Sequence, residues 1–268
     1  MAEQNNIAII GTGNIGSSIA QGLVQSPNYA AENITLTRRN VEHLADFKEQ
    51  GFNTTSNNIE AVKTSDIIIV CVEPHQIDGI LQTIDAVLDP ERHILISVAS
   101  GVSINMIKGQ IQTPVPVVRV MPNTAIAILE SMTCLAAKPE DEHAIQQAND
   151  IFKTVGEVLI IEEEQMTPAT ALCACGIAFF LRSIRAASQG GIETGIDSQR
   201  ALKMAAQTAK GAASLLLEKG NHPEFEIDKV TTPLGCTIAG LNQMEHQGFS
   251  SAMIRGIAKS AEKAKTLR

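Results

Sequence analysis

The chain has 268 residues and a net charge of −8, with 21 Lys and Arg against 29 Asp and Glu. That balance opposes binding along a phosphate backbone. With no Trp, one Tyr and 3% aromatic residues, it also lacks stacking platforms for single strands, so nucleic acid is excluded as the main partner.

The first half alternates β-rich runs with helical patterns. Strands are predicted over 7–10, 34–37, 67–72, 93–99 and 116–121, with 132–137 and 157–162 extending the same sheet. The first and third runs are continuously apolar, as expected where helices cover both faces of a parallel sheet. Helical spacing fills 15–25, 41–50, 76–88, 104–111 and 139–154. This is the grammar of a doubly wound α/β fold. Gly11-Thr12-Gly13-Asn14-Ile15-Gly16 follows the first strand directly and opens a helix, the context in which G-x-G-x-x-G marks a dinucleotide-binding turn. Gly11 permits the tight turn, Gly13 admits a pyrophosphate close to the backbone, and Gly16 lets the helix pack on the sheet. The next strand ends in Thr37-Arg38-Arg39-Asn40 rather than in an acidic residue. Two guanidinium groups suit a ribose 2′-phosphate, which favours NADPH, with NADH as a weaker alternative.

Past about residue 164 the β-rich runs stop. Helices are expected from Thr167-Pro168 to Gly190 or Gly195, over 198–219, over 237–247 and over 250–267. The expected fold is a Rossmann-type doubly wound sheet over residues 1–164, followed by an all-α domain over 165–268. The long, small-residue-rich apolar helix is more naturally covered by a partner than left wet, so a homodimer through these helices is expected. A self-contained helical bundle is the alternative. No basic residue precedes the first apolar run, and no apolar stretch reaches the roughly 18 residues of a membrane span, Arg182 and Arg185 intervening. Neither a signal peptide nor a membrane location is expected. Five cysteines, at 71, 134, 173, 175 and 236, fit reduced thiols in a cytoplasmic protein. Cys173 and Cys175 stand two apart on a helix and cannot share an ion, so no metal site is expected. His75 reads as a surface residue and Glu162–Glu164 as a solvated charge run.

Val230-Thr231-Thr232-Pro233-Leu234-Gly235-Cys236-Thr237-Ile238-Ala239-Gly240-Leu241 resembles the signature of the Δ1-pyrroline-5-carboxylate reductases, V-[TS]-[ST]-P-G-G-x-T-I-x-[AG]-L. Val120-Met121-Pro122-Asn123-Thr124, Val72-Glu73-Pro74-His75, the segment Ala171 to Phe179, and Gln207-Thr208 with Gly211-Ala212-Ala213 are similar to further motifs of that family, in the same order. The departures are Leu234 for a Gly, Glu73 for a Lys, Ile177 for a Pro, and Cys173 and Cys175 for serines. The resemblance implies NADPH-dependent reduction of the cyclic imine to L-proline, the last step of proline biosynthesis, by a dimer that can assemble into a larger ring. It implies cofactor contacts at Gly11, Thr12, Gly13, Asn14, Ile15, Arg38, Arg39, Asn58, Val72, Glu73, Pro74 and Asn123. For Glu73 the backbone alone is expected to contribute, its side chain turning to solvent. Substrate contacts are implied at Thr232, Leu234, Gly235, Cys236, Thr237 and Cys175, with Thr237 as the hydroxyl partner of the imine nitrogen. Other readings compatible with the residues are another NADP-linked imine or β-hydroxyacid-type oxidoreductase, and a non-catalytic NADPH-binding protein.

Overall fold

The computed structural model describes residues 5–265. Eight strands form one sheet: β1 (Ile7–Ile10), β2 (Ile34–Thr37), β3 (Asn53–Thr55), β4 (Ile67–Val70), β5 (Ile94–Ser97), β6 (Val117–Met121), β7 (Ser131–Ala137) and β8 (Gly156–Ile160). Their order is β3-β2-β1-β4-β5-β6-β7-β8. The first six run parallel, β7 is antiparallel to β6, and β8 is parallel to β7. Helices α1 (Asn14–Gln25), α2 (Ala45–Glu49), α3 (Asn58–Lys63), α4 (Ile77–Ile84), α5 (Ile104–Lys108) and α6 (Glu142–Lys153) connect them.

The unbroken apolar runs have a simple cause. Side chains alternate across a strand, and both faces here are covered. Ile7, Ile9, Leu36, Ile67 and Ile69 enter one core with Ile19 and Leu23 of α1 and Phe152 of α6. Ala8, Ile10, Ile68 and Val70 enter the other, beneath Val62, Leu81 and Ile107 of α3, α4 and α5. The strand order reverses between β1 and β4, which opens a crevice beyond their carboxyl ends.

Two elements of this unit were not predicted. The β3 strand is Asn-Thr-Thr at the sheet edge, poor in β-propensity and held by pairing with β2 and by Asn53 Nδ2 donating to the Glu32 carbonyl at 2.6 Å. The short α3 starts where Asn57 Oδ1 accepts the amides of Ile59 and Glu60 at 3.1 and 3.3 Å.

The compact units divide at Ala174/Cys175, residues 260–265 clustering with the first. The boundary placed near 164 marks the change of pattern rather than the edge of that unit. After β8 the chain forms a 3₁₀ turn at Glu163–Gln165, α7 (Met166–Ala169) and a π turn over 170–174. Met166, Cys173 and Ala174 pack with Met121, Cys134 and Ala136 of β6 and β7, keeping this segment in the first unit. The expected start at Thr167-Pro168 is also corrected: Glu162 caps the run through a capping box with Gln165. By length and composition alone, the helical run Glu163–Glu193 is long and apolar enough to cross a membrane. Arg182 and Arg185 fall in its second half, leaving the stretch from Met166 to Leu181 without a charged residue.

Glu163 is no solvated surface charge. Its carboxylate accepts the Ile104 amide at 2.6 Å and pairs with Arg119 Nη1 at 3.1 Å and Lys138 Nζ at 3.3 Å. Burial works to raise its pKa, but these three donors outweigh that and hold the carboxyl below its usual range. Glu163→Ala strands the Arg119 side chain, only 8% exposed, and is expected to cost about 2 kcal/mol in urea unfolding at neutral pH. Because the folded-state pKa is depressed, this stabilisation is present above the unfolded value of about 4.3 and fades as pH falls through the folded one. The gap between Glu163→Ala and the unsubstituted chain therefore closes on acidification. A gap constant down to acid pH contradicts the ion-pair origin.

The second unit, Cys175–Lys259, is all helical: α8 (Gly176–Glu193), α9 (Ser198–Lys219), α10 (Pro223–Val230), α11 (Cys236–His246) and most of α12 (Phe249–Ala264). Helix α10 was not predicted. Asp197 caps α9 by accepting the Arg200 amide at 3.1 Å, and Gly220 ends it in the left-handed conformation. Within this unit only Gly176, Ser188 and Ala201 are buried, whereas Phe180, Leu181, Leu202, Leu217, Phe225 and Ile254 are exposed. A helical unit with so little core of its own needs apolar cover from elsewhere.

Candidate active site

A cleft of about 670 Å³ opens at the strand-order reversal. It brings together Gly11, Thr12, Gly13, Arg38, Arg39, Asn58, Val72 and Glu73 from the carboxyl ends of β1, β2 and β4 and the start of α3. Gly11 has φ +91, and a Cβ there would lie 2.6 Å from Val72 Cγ1 and 2.7 Å from the Cys71 carbonyl. At Gly13 a Cβ meets no protein atom, so the space it leaves faces the cleft rather than the core. At Gly16 it would stand 2.6 Å from the Gly11 carbonyl oxygen.

Thr37, buried at the end of β2, holds this turn. Its Oγ1 accepts the Gly11 amide at 3.3 Å and its carbonyl accepts the Thr12 amide at 2.9 Å. The Gly13 amide in turn donates to the Gly11 carbonyl, and the first bond of α1 runs from Ser17 to Gly13. The first-turn amides of Asn14, Ile15 and Gly16 therefore have no carbonyl to reach within the helix and can meet an anion. Thr12 lines the cleft with its amide donated to Thr37 and its side chain fully buried, Oγ1 having no partner among the described residues, so its side chain shapes the turn.

Arg38 and Arg39 are exposed on the cleft wall, and among the described residues neither guanidinium pairs with a carboxylate. Glu73 is also exposed, and its Oε2 lies 3.4 Å from His75 Nδ1, matching the outward orientation expected for it. Pro74 belongs to a neighbouring cleft with His75, Asp78 and Met106 rather than to this one. Asn123 is not among the residues lining this cleft. It is 6% exposed, its Oδ1 accepts the Ala125 amide at 3.0 Å, and its Nδ2 donates to the Cys173 carbonyl at 3.4 Å. Both ends of the amide are committed to holding the loop after β6. Gln76, Gly79 and Ile80 of the next turns line the cleft and were not anticipated. Their only signal in the sequence is their position just after the Val72–Pro74 loop.

In the second unit, Thr232, Leu234, Gly235, Cys236 and Thr237 share one turn. The Gly235 amide donates to the Thr232 carbonyl at 2.9 Å, Pro233 fixes the first central residue, and Leu234 follows at φ +61. That is a type II turn, whose second central position wants glycine. Gly235 is required by space, since a Cβ would lie 2.6 Å from Thr232 Oγ1. The residue is also the N-cap of α11, which supplies no side-chain cap. Thr237 therefore stands at the second helical position, half-buried, and its hydroxyl has no hydrogen-bond partner among the described residues. Around it the amides of Cys236, Thr237 and Ile238 are the unsatisfied donors of the first turn. Cys175, the remaining substrate candidate, is half-buried at the N-cap of α8.

The fully exposed Leu234 side chain touches nothing that could repay its left-handed backbone. Leu234→Gly removes a strain of about 1–2 kcal/mol and adds about 0.5–1 kcal/mol of backbone entropy cost. The expected net gain in urea unfolding, at fixed protein concentration, is about 0.5–1 kcal/mol. A loss of stability shows that Leu234 makes contacts beyond this chain.

The chain matches two family models: pyrroline-5-carboxylate reductase dimerisation over residues 163–267, and NADP oxidoreductase, coenzyme F420-dependent, over 6–101. The first begins where the strand pattern stops. The chain is 47% identical to pyrroline-5-carboxylate reductase 2 of Dictyostelium discoideum, over 98% of this chain and 93% of that protein. The chain belongs to the pyrroline-5-carboxylate reductase family. It is also 52% identical to pyrroline-5-carboxylate reductase 1 of that organism, over 98% of this chain but only 50% of that longer protein. The pyrroline-5-carboxylate reductase of Coxiella burnetii superposes with a TM-score of 0.88 at 28% identity, over 99% of each chain. Within the reductase family frame, Leu234 occupies the glycine position of a turn whose geometry is kept despite the substitution.

Proposed function

We propose that this chain reduces the C=N bond of Δ1-pyrroline-5-carboxylate to give L-proline, with NADPH held in the cleft of the first unit. The observation that carries the reading is the Thr232–Thr237 turn, which presents first-turn amides and an unengaged hydroxyl together. Those amides and the Thr232 hydroxyl suit the substrate carboxylate. The Thr237 hydroxyl suits the ring nitrogen, where it orients and relays the proton that an iminium requires. Bound NADPH supplies the hydride. The cleft fits such a dinucleotide: Gly13 leaves room where a Cβ would otherwise project, Asn14 and Ile15 offer amides to the pyrophosphate, and Arg38 and Arg39 offer guanidinium groups to a 2′-phosphate. NADH lacks that phosphate and is the weaker donor.

The assembly is homo-oligomeric, as a dimerisation region over 163–267 requires. In the proposal, a second copy covers the exposed apolar helices of residues 175–259 and the apolar run from Glu163, without a lipid phase. Paired dimers in a larger ring, absence of nucleic-acid binding, cytoplasmic location and a place in proline biosynthesis belong to the same reading. The net charge of −8 supports the absence of nucleic-acid binding and the free cysteines support the cytoplasmic location, while the ring and the pathway rest on the family resemblance.

NADPH oxidation followed with pyrroline-5-carboxylate and its six-membered homologue, beside NADP reduction followed with a β-hydroxyacid, tests the reading. Turnover is expected with the five-membered imine. Turnover of the hydroxyacid alone assigns a β-hydroxyacid dehydrogenase, and tight NADPH binding without any turnover assigns a non-catalytic binder.

A further inference from the structure

We propose that Cys134 and Cys173 form an oxidisable dithiol, a modification site that a hydroperoxide converts into an intrachain disulfide. Cys134 sits on β7 opposite Met121, 3% exposed. Cys173 lies in the π turn 170–174, half-buried, and packs on the cluster of Met121, Cys134, Ala136 and Met166. The two thiols hydrogen-bond to each other. Both belong to the first unit, so their contact is internal to it.

The pair is chemically asymmetric. Cys134 donates its proton toward Cys173, which lowers the Cys173 thiol to about 7. The same bond, with burial added, pushes the Cys134 thiol up. Cys173, half-buried where Cys134 is only 3% exposed, is the thiol a hydroperoxide can reach and so the nucleophile, with Cys134 the resolving thiol. The Cys173 thiolate attacks one oxygen of the hydroperoxide. The O–O bond breaks, the other oxygen leaves as alkoxide or hydroxide and takes up a proton, and Cys173 becomes a sulfenic acid. The Cys134 sulfur then attacks the Cys173 sulfur. An S–S bond forms, the S–O bond breaks, and hydroxide departs with the Cys134 proton as water. Two thiols and one hydroperoxide give one disulfide, one alcohol or water, and a second water.

Closing the sulfurs from hydrogen-bond contact to about 2.05 Å needs a small backbone adjustment. The π turn, where the regular helical ladder is already broken, can absorb it. Cys175 lies two residues further on and projects away from the Cys173 direction. Cys71 is buried in apolar surroundings that push its thiol up and keep it inert.

The reduced full-length chain is treated with a small excess of hydrogen peroxide, quenched by alkylation and digested without reductant. Mass spectrometry is expected to find the Cys134 and Cys173 peptides joined, two hydrogens lighter than their sum. Under denaturing conditions the count of five free thiols falls by two. Cys173→Ser and Cys134→Ala should each abolish the cross-link, while Cys175→Ser leaves it, and cross-linking should quicken as pH rises through 7. A Cys173–Cys175 link, or Cys173 oxidised to sulfinic acid while Cys134 remains alkylatable, overturns the proposal. The untouched chain itself gives the decisive reading, so a variant that folds poorly does not obscure the outcome.

Discussion

Thr237→Ala is expected to lower kcat for pyrroline-5-carboxylate by roughly 10²-fold, the low end of what a positioned proton-transfer group contributes. NADPH affinity should stay within about twofold, because the cofactor cleft lies wholly in the first unit. The structure also removes the usual objection that the substitution merely uncaps a helix. Gly235 is the N-cap of α11 and no side chain caps it, so removing the Thr237 hydroxyl leaves the helix end as it was. Stability should change by less than about 0.5 kcal/mol, the ordinary range for a substitution away from packed groups. Thr237→Ser, which keeps the hydroxyl, should recover most of the rate. Unchanged steady-state kinetics in Thr237→Ala end the assignment. A rise in KM with kcat intact moves the residue from the nitrogen to the carboxylate.

The second large effect concerns cofactor choice. Arg38 and Arg39 are exposed on the cleft wall and pair with no carboxylate among the described residues, so each can form charge-assisted bonds to a phosphate. Such bonds are worth about 1.5–3 kcal/mol, and the exposure places these at the lower end. Each Arg→Ala change should weaken NADPH binding roughly tenfold, and the double change roughly 10²-fold. NADH binding should barely move, and the NADPH effect should shrink with added salt. Equal losses for both nucleotides, measured by fluorescence titration, mean that the arginines serve the shared pyrophosphate instead.

Much of this was legible in the sequence because the residues concerned have one dominant job. The runs at 7–10 and 67–70 are apolar on every residue since both sheet faces are covered; the strands at 7–10 and 34–37 fold as read, and the third stops at Val70, two residues short of the expected end. Gly11 and Gly16 could be assigned roles from spacing alone, and close contacts with Cys71, Val72 and the Gly11 carbonyl bear those roles out. What escaped was decided by tertiary surroundings. The polar Asn53–Thr55 strand exists through pairing with β2, not through its own propensity. Glu163 looked like one of three solvated glutamates until Arg119 and the Ile104 amide were found facing it. The side chains of Thr12 and Asn123 turn into the protein, a burial that their motif positions do not reveal. Leu234 breaks the motif in letters while its backbone keeps the glycine conformation, so the site geometry outlasts the departure.

The most direct measurement uses NADPH carrying deuterium at the transferable position of the nicotinamide, incubated with the protein and pyrroline-5-carboxylate. The expected product is L-proline with one deuterium on the carbon that had been the imine carbon, formed at a rate that Thr237→Ala depresses. NADPH retained by the protein, with the imine recovered unreduced and no deuterium in proline, contradicts the proposed reduction.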